Sequence, residues 1–238
     1  MTENTEQTGA LATGPRRARP GTEPATAATS WWQSPWAAAL AAVVVFNLLY
    51  AFPRYLSGDS HQARIPLDPD FPAHYAVLVA HVVLGNISLV TVLLQVLPWI
   101  RRHHPAVHRM SGRVYIFAGA LPSGVLALVL VPYSAAPSGK TGLAMMAVLW
   151  LGTTLLGLRA ALQRRFVDHR RWMVYSFALA LGTTWGRVLA ELMLHVPGFR
   201  IDIMTLLDLA NWAGWVFNLL VAHWWLERTA PRAARLVR

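Results

Sequence analysis

His74, His81, Ser88 and Gln95 recur every seven residues through one long apolar run. Seven residues turn an α-helix by ~700°, close to two whole turns, so the four side chains share one stripe. Polar groups inside a bilayer are costly, which makes such a stripe the first place to look for chemistry. A second stripe carries His169, Ser176, Thr183, Arg187 and Glu191, with Arg187 and Glu191 four residues apart and able to pair. A third run holds Asp208, Asn211 and Asn218, with His223 near its far end. Imidazole titrates near neutral pH and ligates haem iron, while a guanidinium binds carboxylates such as propionates. This inventory suits a bound redox cofactor or the handling of protons and a small solute.

Depth sharpens the reading. At ~1.5 Å per residue, His81, Arg187 and Asn211 each fall ~9–10 Å below the outer boundary of their own segments. The spacing predicts a polar pocket open to the outer face, lined by His74, His81, Arg187, Glu191, Asp208 and Asn211. A second histidine group, His103, His104, His108, His169 and His223, collects at the opposite boundary. A purely structural reading stands beside both: Arg187–Glu191 holds the bundle together, and the Asn and Ser residues bridge helices.

The elements that must position these groups follow from composition. The chain has 238 residues, of which 55% are hydrophobic and only 13% charged, with mean hydropathy +0.39. Soluble domains carry about 25% charged residues, so this chain reads as a bilayer protein. Six runs are long enough to span ~30 Å of hydrocarbon: Trp36–Phe52, Tyr75–Trp99, Val114–Tyr133, Gly142–Gln163, Trp172–Leu194 and Thr205–Leu226. The expected fold is all-α, a six-span bundle filling residues 32–228. Residues 1–31, rich in Thr, Ala, Gly and Pro, read as a disordered tail, and 229–238 as a short basic one. Sixteen Lys or Arg residues fall on one side of the spans and four on the other; Arg187 lies within the fifth run. The positive-inside rule then puts both termini in the cytoplasm, as expected for a multi-pass protein of the inner membrane. Trp31, Trp32, Trp36, Trp99, Trp172, Trp224 and Trp225 would form a belt on that side. The net charge of +10 sits in these connectors, which argues for membrane topology and against nucleic acid.

The chain has no cysteine, which excludes disulfides, thiolate metal sites and covalent c-type haem. No phosphate loop, nucleophile elbow or zincin motif is present. Asp59, His61, Asp68 and Asp70 precede the second run and read as solvated loop residues, so no metal site is expected there. A weak internal repeat links His108-Arg109 with Tyr115 to His169-Arg170 with Tyr175, each after an arginine pair, and suggests two related hairpins in parallel.

Three boxes carry a resemblance: His81 with Gly85; His108-Arg109, Gly112-Arg113 and Tyr115; and His169, Trp172 and Met173 with Arg187. In these boxes the chain resembles the bacterial predicted membrane proteins of domain of unknown function 2306, over roughly residues 74–190. The resemblance implies a multi-pass membrane protein and no particular activity. A more distant likeness is to the four-helix membrane cytochromes of the b561 group, where histidines on facing helices ligate haem. That likeness implies b-type haem, with His81, His108 and His169 as ligands or proton partners and Arg187 as partner of a propionate or a quinone oxygen. Three functions stay open: a haem- or quinone-linked membrane redox protein, a small-solute or proton-coupled transporter, and a structural or assembly protein without chemistry.

Overall fold

The computed structural model describes residues 35–63 and 65–229, so the expectations for 1–31 and 230–238 lie outside the described residues. Within them the secondary structure is helical, and six stretches are long and apolar enough to cross a membrane. They are α1 (Pro35–Tyr55); α2 (His74–Val96); α4 (Pro105–Tyr115) with α5 (Leu121–Leu130); α6 (Lys140–Leu162); α7 (Phe166–Ala180) with α8 (Thr184–His195); and α9 (Ile203–Asp208) with α10 (Gly214–Thr229). A short helix α3 (Pro98–His103) lies between the second and third spans. All six expected spans are present; proline accounts for the shifted boundary between the second and the third.

The second run stops at Val96 rather than Trp99. Leu97 precedes Pro98 and is extended (ψ 114°), as the steric demand of a following proline favours. Pro98 and Pro105 then each open a new helix, at positions where the missing N–H costs nothing. The third span therefore begins at Pro105, not Val114, and its His, Arg and Gly box forms its first turns. Pro122 lies two residues past a π-turn at Ile116–Ala120, whose wider ladder lets Leu121 N donate to Ile116 O. This local widening accommodates the proline within a continuous span.

The fifth span is broken at residues 181–183, where Gly182 and Thr183 are poor helix formers. A Cβ on Gly214 would come within 2.5 Å of the Gly182 carbonyl oxygen, so α10 crosses here in close contact with the backbone. The sixth span opens on Asp202, whose carboxylate accepts from Met204 N (2.9 Å) and Thr205 N (3.1 Å). Bonds from Thr205 and Met204 hold this carboxyl below its usual range. The cap is therefore complete above the ordinary carboxylate range and is lost as pH falls through the depressed folded value.

Small residues set the helix contacts, as they do where apolar lipid removes the usual drive for association. Down the α2–α4/α5 seam, Gly85 faces Ser123, Ser88 faces Gly119, and Gln95 faces Gly112. The central core gathers Val92, Tyr115, Ile116, Ala120, Trp150, Met173, Leu179 and Trp215. Outward faces carry Leu49, Phe117, Val148, Leu162 and Leu220, all exposed in the isolated chain and suited to acyl chains.

Candidate functional site

At the centre of the bundle a polar knot is fully satisfied. Tyr115 Oη lies 2.6 Å from Ser176 Oγ, Ser176 Oγ 2.7 Å from Thr154 Oγ1, and Trp150 Nε1 donates to Tyr115 Oη at 3.1 Å. Tyr115, Thr154 and Ser176 are entirely buried, and the Tyr115 ring meets Phe177 edge-on at 4.9 Å. This knot ties α4, α6 and α7, and it fixes the relative height of α4 and α7.

That register brings His108 and His169 to one level. Each lies seven residues before its partner in the knot, or ~10 Å back toward the arginine-rich end, and on the same stripe. Both rings are half-buried and within electrostatic reach of one another, with Arg101 and Arg109 acting on His108 as well. His169 Nδ1 donates to the Gly157 carbonyl at 2.9 Å, so the neutral ring presents Nε2 as a lone pair. His108 Nδ1 is buried and meets no described hydrogen-bond partner. Gln95 braces this helix start by donating to His108 O (2.7 Å) and Ser111 Oγ (2.6 Å).

A second station lies deeper along α2 and α8. His81 Nδ1 donates to the Ser123 carbonyl at 2.9 Å, and Ser123 Oγ donates back to His81 O at 3.1 Å. Arg187 Nη1 donates to Asn47 Oδ1, its guanidinium stands 5.4 Å from the Tyr50 ring centre, and its charge reaches His81. Asn47 is buried and also donates to Thr184 Oγ1 at 3.1 Å. Asn47→Ala removes an acceptor from the half-buried Arg187 guanidinium, and hydrogen bonds to charged groups contribute about 1.5–3 kcal/mol. A lowered thermal midpoint in detergent, larger than that of a lipid-facing control such as Leu49→Ala, is the expected result.

The other expected pocket residues are spread along the same end. His74 is buried, accepts from Asp68 N at 2.9 Å and stacks with Phe71, with Tyr133 behind. Glu191 pairs with His195 (3.4 Å), Asp208 is exposed, and Asn211 packs against Gly139 and Gly142 while its carbonyl accepts from Trp215 Nε1. His81 and Arg187 are thus brought together, and Asn211 is turned toward α6. At the arginine-rich end His103 and His104 lie against Trp99, and His223 Nδ1 bonds Tyr175 Oη at 2.9 Å. In the first loop Asp59 accepts from His61 N and Gln62 Nε2, and Asp68 from Asp70 N.

The family described as "Predicted membrane protein (DUF2306)" matches residues 78–226. The chain belongs to it. No curated protein and no solved structure matches the chain, so the likeness to the b561 group rests on helices and histidines alone. The DUF2306 region contains His81, His108, His169 and Arg187, and His74 lies before it. Each box residue has a distinct place in this DUF2306 bundle. Gly112 seats Gln95, Tyr115 centres the knot, Met173 packs on Gly157, and Arg109 and Arg113 are exposed along α4.

Asn47, Ser123, Thr154, Trp150 and Gly157 were not singled out by the sequence. Asn47 and Thr154 carried a usable signal, a polar side chain inside an apolar run. The carbonyls of Ser123 and Gly157 carried none.

Proposed function

We propose that this DUF2306 membrane protein is a redox protein holding one b-type haem at its arginine-rich end, with His108 and His169 as axial ligands. The observation that supports the reading is the Tyr115–Ser176 bond, from which His108 and His169 each stand seven residues back along their own helices. Three further features support it. His169 has its Nδ1 engaged by a backbone carbonyl, the usual outer-shell arrangement of an iron- or zinc-ligating imidazole. His108 has a buried ring nitrogen without a described partner. Arg101 and Arg109 act electrostatically on His108, and guanidinium groups there would suit propionates. If haem were held by His108 and His169, two protein ligands would suit electron transfer, because they would leave the iron no open site for a substrate. The transport reading has less support, since His81 and Arg187 already bond Ser123 and Asn47.

The test is spectroscopic. Protein produced with haem available and purified in mild detergent is expected to show a Soret band that shifts on dithionite reduction. Folded, monodisperse, colourless protein from such cells counts decisively against the assignment.

We further place the arginine-rich end in the cytoplasm of the inner membrane, on the sixteen-to-four split of basic residues. Because the chain has no cysteine, Lys140→Cys introduces a unique thiol. It is expected to react with an impermeant maleimide from outside intact spheroplasts; reaction only after lysis would invert the topology.

A further inference from the structure

His74 opens α2 at the end of the bundle opposite the arginine-rich one and is 1% exposed. The chain before it folds into a tight turn over Asp68, Pro69, Asp70 and Phe71. Phe71 N donates to Asp68 O at 3.2 Å, and the Asp68 carboxylate accepts from Asp70 N at 2.9 Å. Aspartate at the first position and proline at the second are residues that such a turn favours. The turn is docked on α2 by the Asp68 N–H, which donates to His74 Nδ1 at 2.9 Å. Phe71 stacks on the His74 ring with centres 5.7 Å apart, and on Tyr133 at 4.3 Å. His74 stands seven residues before His81 on one stripe, so the dock lies about two turns from the His81–Ser123 bonds.

We propose that His74 is a pH-sensitive latch: its neutral ring holds the turn against the bundle, and protonation releases it. A ring nitrogen that accepts from a backbone N–H carries no proton, so the docked ring is neutral with its one proton on Nε2. Nε2 is itself buried and meets no described hydrogen-bond partner. A second proton has to go on Nδ1. There it faces the Asp68 N–H, donor against donor, and puts a charge beside two aromatic rings. The docked turn and the protonated ring therefore exclude one another. The other titratable groups close by are Asp68 and Asp70 in the turn, Tyr133 beyond α5 and Tyr75 next along α2. Among these side-chain types, imidazole is the one that ordinarily changes charge between about pH 5 and 8. The Asp68 carboxylate is engaged by Asp70 N, so pairing it with an imidazolium also requires the turn to rearrange. Docking is thus complete above the ordinary imidazole range and weakens as pH falls below it. On the orientation proposed above, the latch faces the outside and couples this loop to external acidity.

The experiment uses the full-length protein in lipid nanodiscs and follows amide hydrogen exchange over residues 65–74, corrected for the intrinsic effect of pH on exchange. A released imidazole titrates near ~6.5, so one coupled proton gives about a tenfold loss of protection between pH 7.5 and pH 5.5. His74→Asn puts an amide oxygen, which accepts but does not titrate, where Nδ1 stood, and is expected to keep protection at both pH values. His74→Phe keeps a ring without an acceptor and is expected to be unprotected at both. His61→Gln removes the other, exposed imidazole of this loop and is expected to respond as the wild type does. Unchanged protection over residues 84–95 shows that a variant is folded. The wild-type and His61→Gln titrations decide the matter even if a His74 variant does not fold. Equal protection of the wild type at both pH values, the same fall in His74→Asn, or a response abolished by His61→Gln would each overturn the proposal.

Discussion

Protein carrying His169→Ala is expected to purify without a Soret band, whereas Ser176→Ala, two turns along the same stripe, retains one. The contrast matters because both side chains are part of one buried framework. Loss of Ser176 Oγ removes hydrogen bonds to Tyr115 and Thr154 and destabilises the bundle by about 1–3 kcal/mol, yet it touches no proposed ligand. Loss of His169 removes an imidazole whose tautomer is fixed by the Gly157 carbonyl, leaving Nε2 as the lone pair. Altering only an outer-shell partner of such a ligand costs 10–100-fold in metal affinity, so deleting the ligand itself should exceed ~100-fold. Two further variants distinguish ligation from mere support. His169→Gly supplemented with free imidazole is expected to recover the band, since a small ligand can enter the vacated space. His169→Met is expected to keep haem and raise its midpoint potential, as thioether ligation does. A colourless His169→Ala whose loss cannot be restored by imidazole, in a protein that also fails with Ser176→Ala, would make His169 a structural residue.

The spans were legible because bilayer thickness is a simple ruler and apolar length is written directly in the chain. Their ends were not, because Pro98 and Pro105 act through sterics on the residue before and the hydrogen bonds after, which hydropathy does not register. Depth along each helix was read from residue counts, which grouped His81, Arg187 and Asn211; in the structure the Arg187 charge acts on His81. What residue counts cannot supply is direction around the helix axis. Asn211 illustrates the difference: it sits inside the π-turn Leu209–Ala213, whose extra residue per turn rotates every following side chain relative to a regular helix. Its side chain lies against Gly139 and its main-chain oxygen against Gly142. The tautomers of His81 and His169 were invisible for another reason. Their partners are the main-chain carbonyls of Ser123 and Gly157, and every residue type carries a carbonyl. The register of α4 and α7 was half visible, as a weak repeat, and became specific only when Tyr115 and Ser176 were found bonded.

Gly119→Val is expected to be among the most damaging single substitutions in this bundle, while Gly152→Ala is expected to be harmless. Both glycines lie within apolar spans, so composition alone ranks them equally. A Cβ at Gly152 meets nothing within 4 Å, and a helical glycine replaced by alanine gains about 0.5–1 kcal/mol of helix preference. A Cβ at Gly119 collides with Ser88 Oγ and comes within 3.2 Å of the Ser88 Cα and N atoms. The hydroxyl can rotate away, but the backbone atoms cannot move without carrying α2 with them. Overpacking ordinarily costs about 1–3 kcal/mol, and a backbone obstacle puts this case at or above the upper end. The consequence reaches both polar stations, because Gly119 sits on the seam between the His81–Ser123 and Gln95–Ser111 bonds. Separating α2 from α5 stretches the first, and from α4 the second, so the brace under His108 loosens as well. Thermal midpoints in detergent should therefore fall sharply for Gly119→Val, modestly for Gly119→Ala, and not at all for Gly152→Ala. Combining Gly119→Ala with Ser88→Gly removes the nearest obstacle and should recover part of the loss, a coupling that a double-mutant cycle reads directly. Equal midpoints for Gly119→Val and Gly152→Ala would mean that α2 does not press on the third span at this point, and the seam that positions His81 and His108 would have to be redrawn.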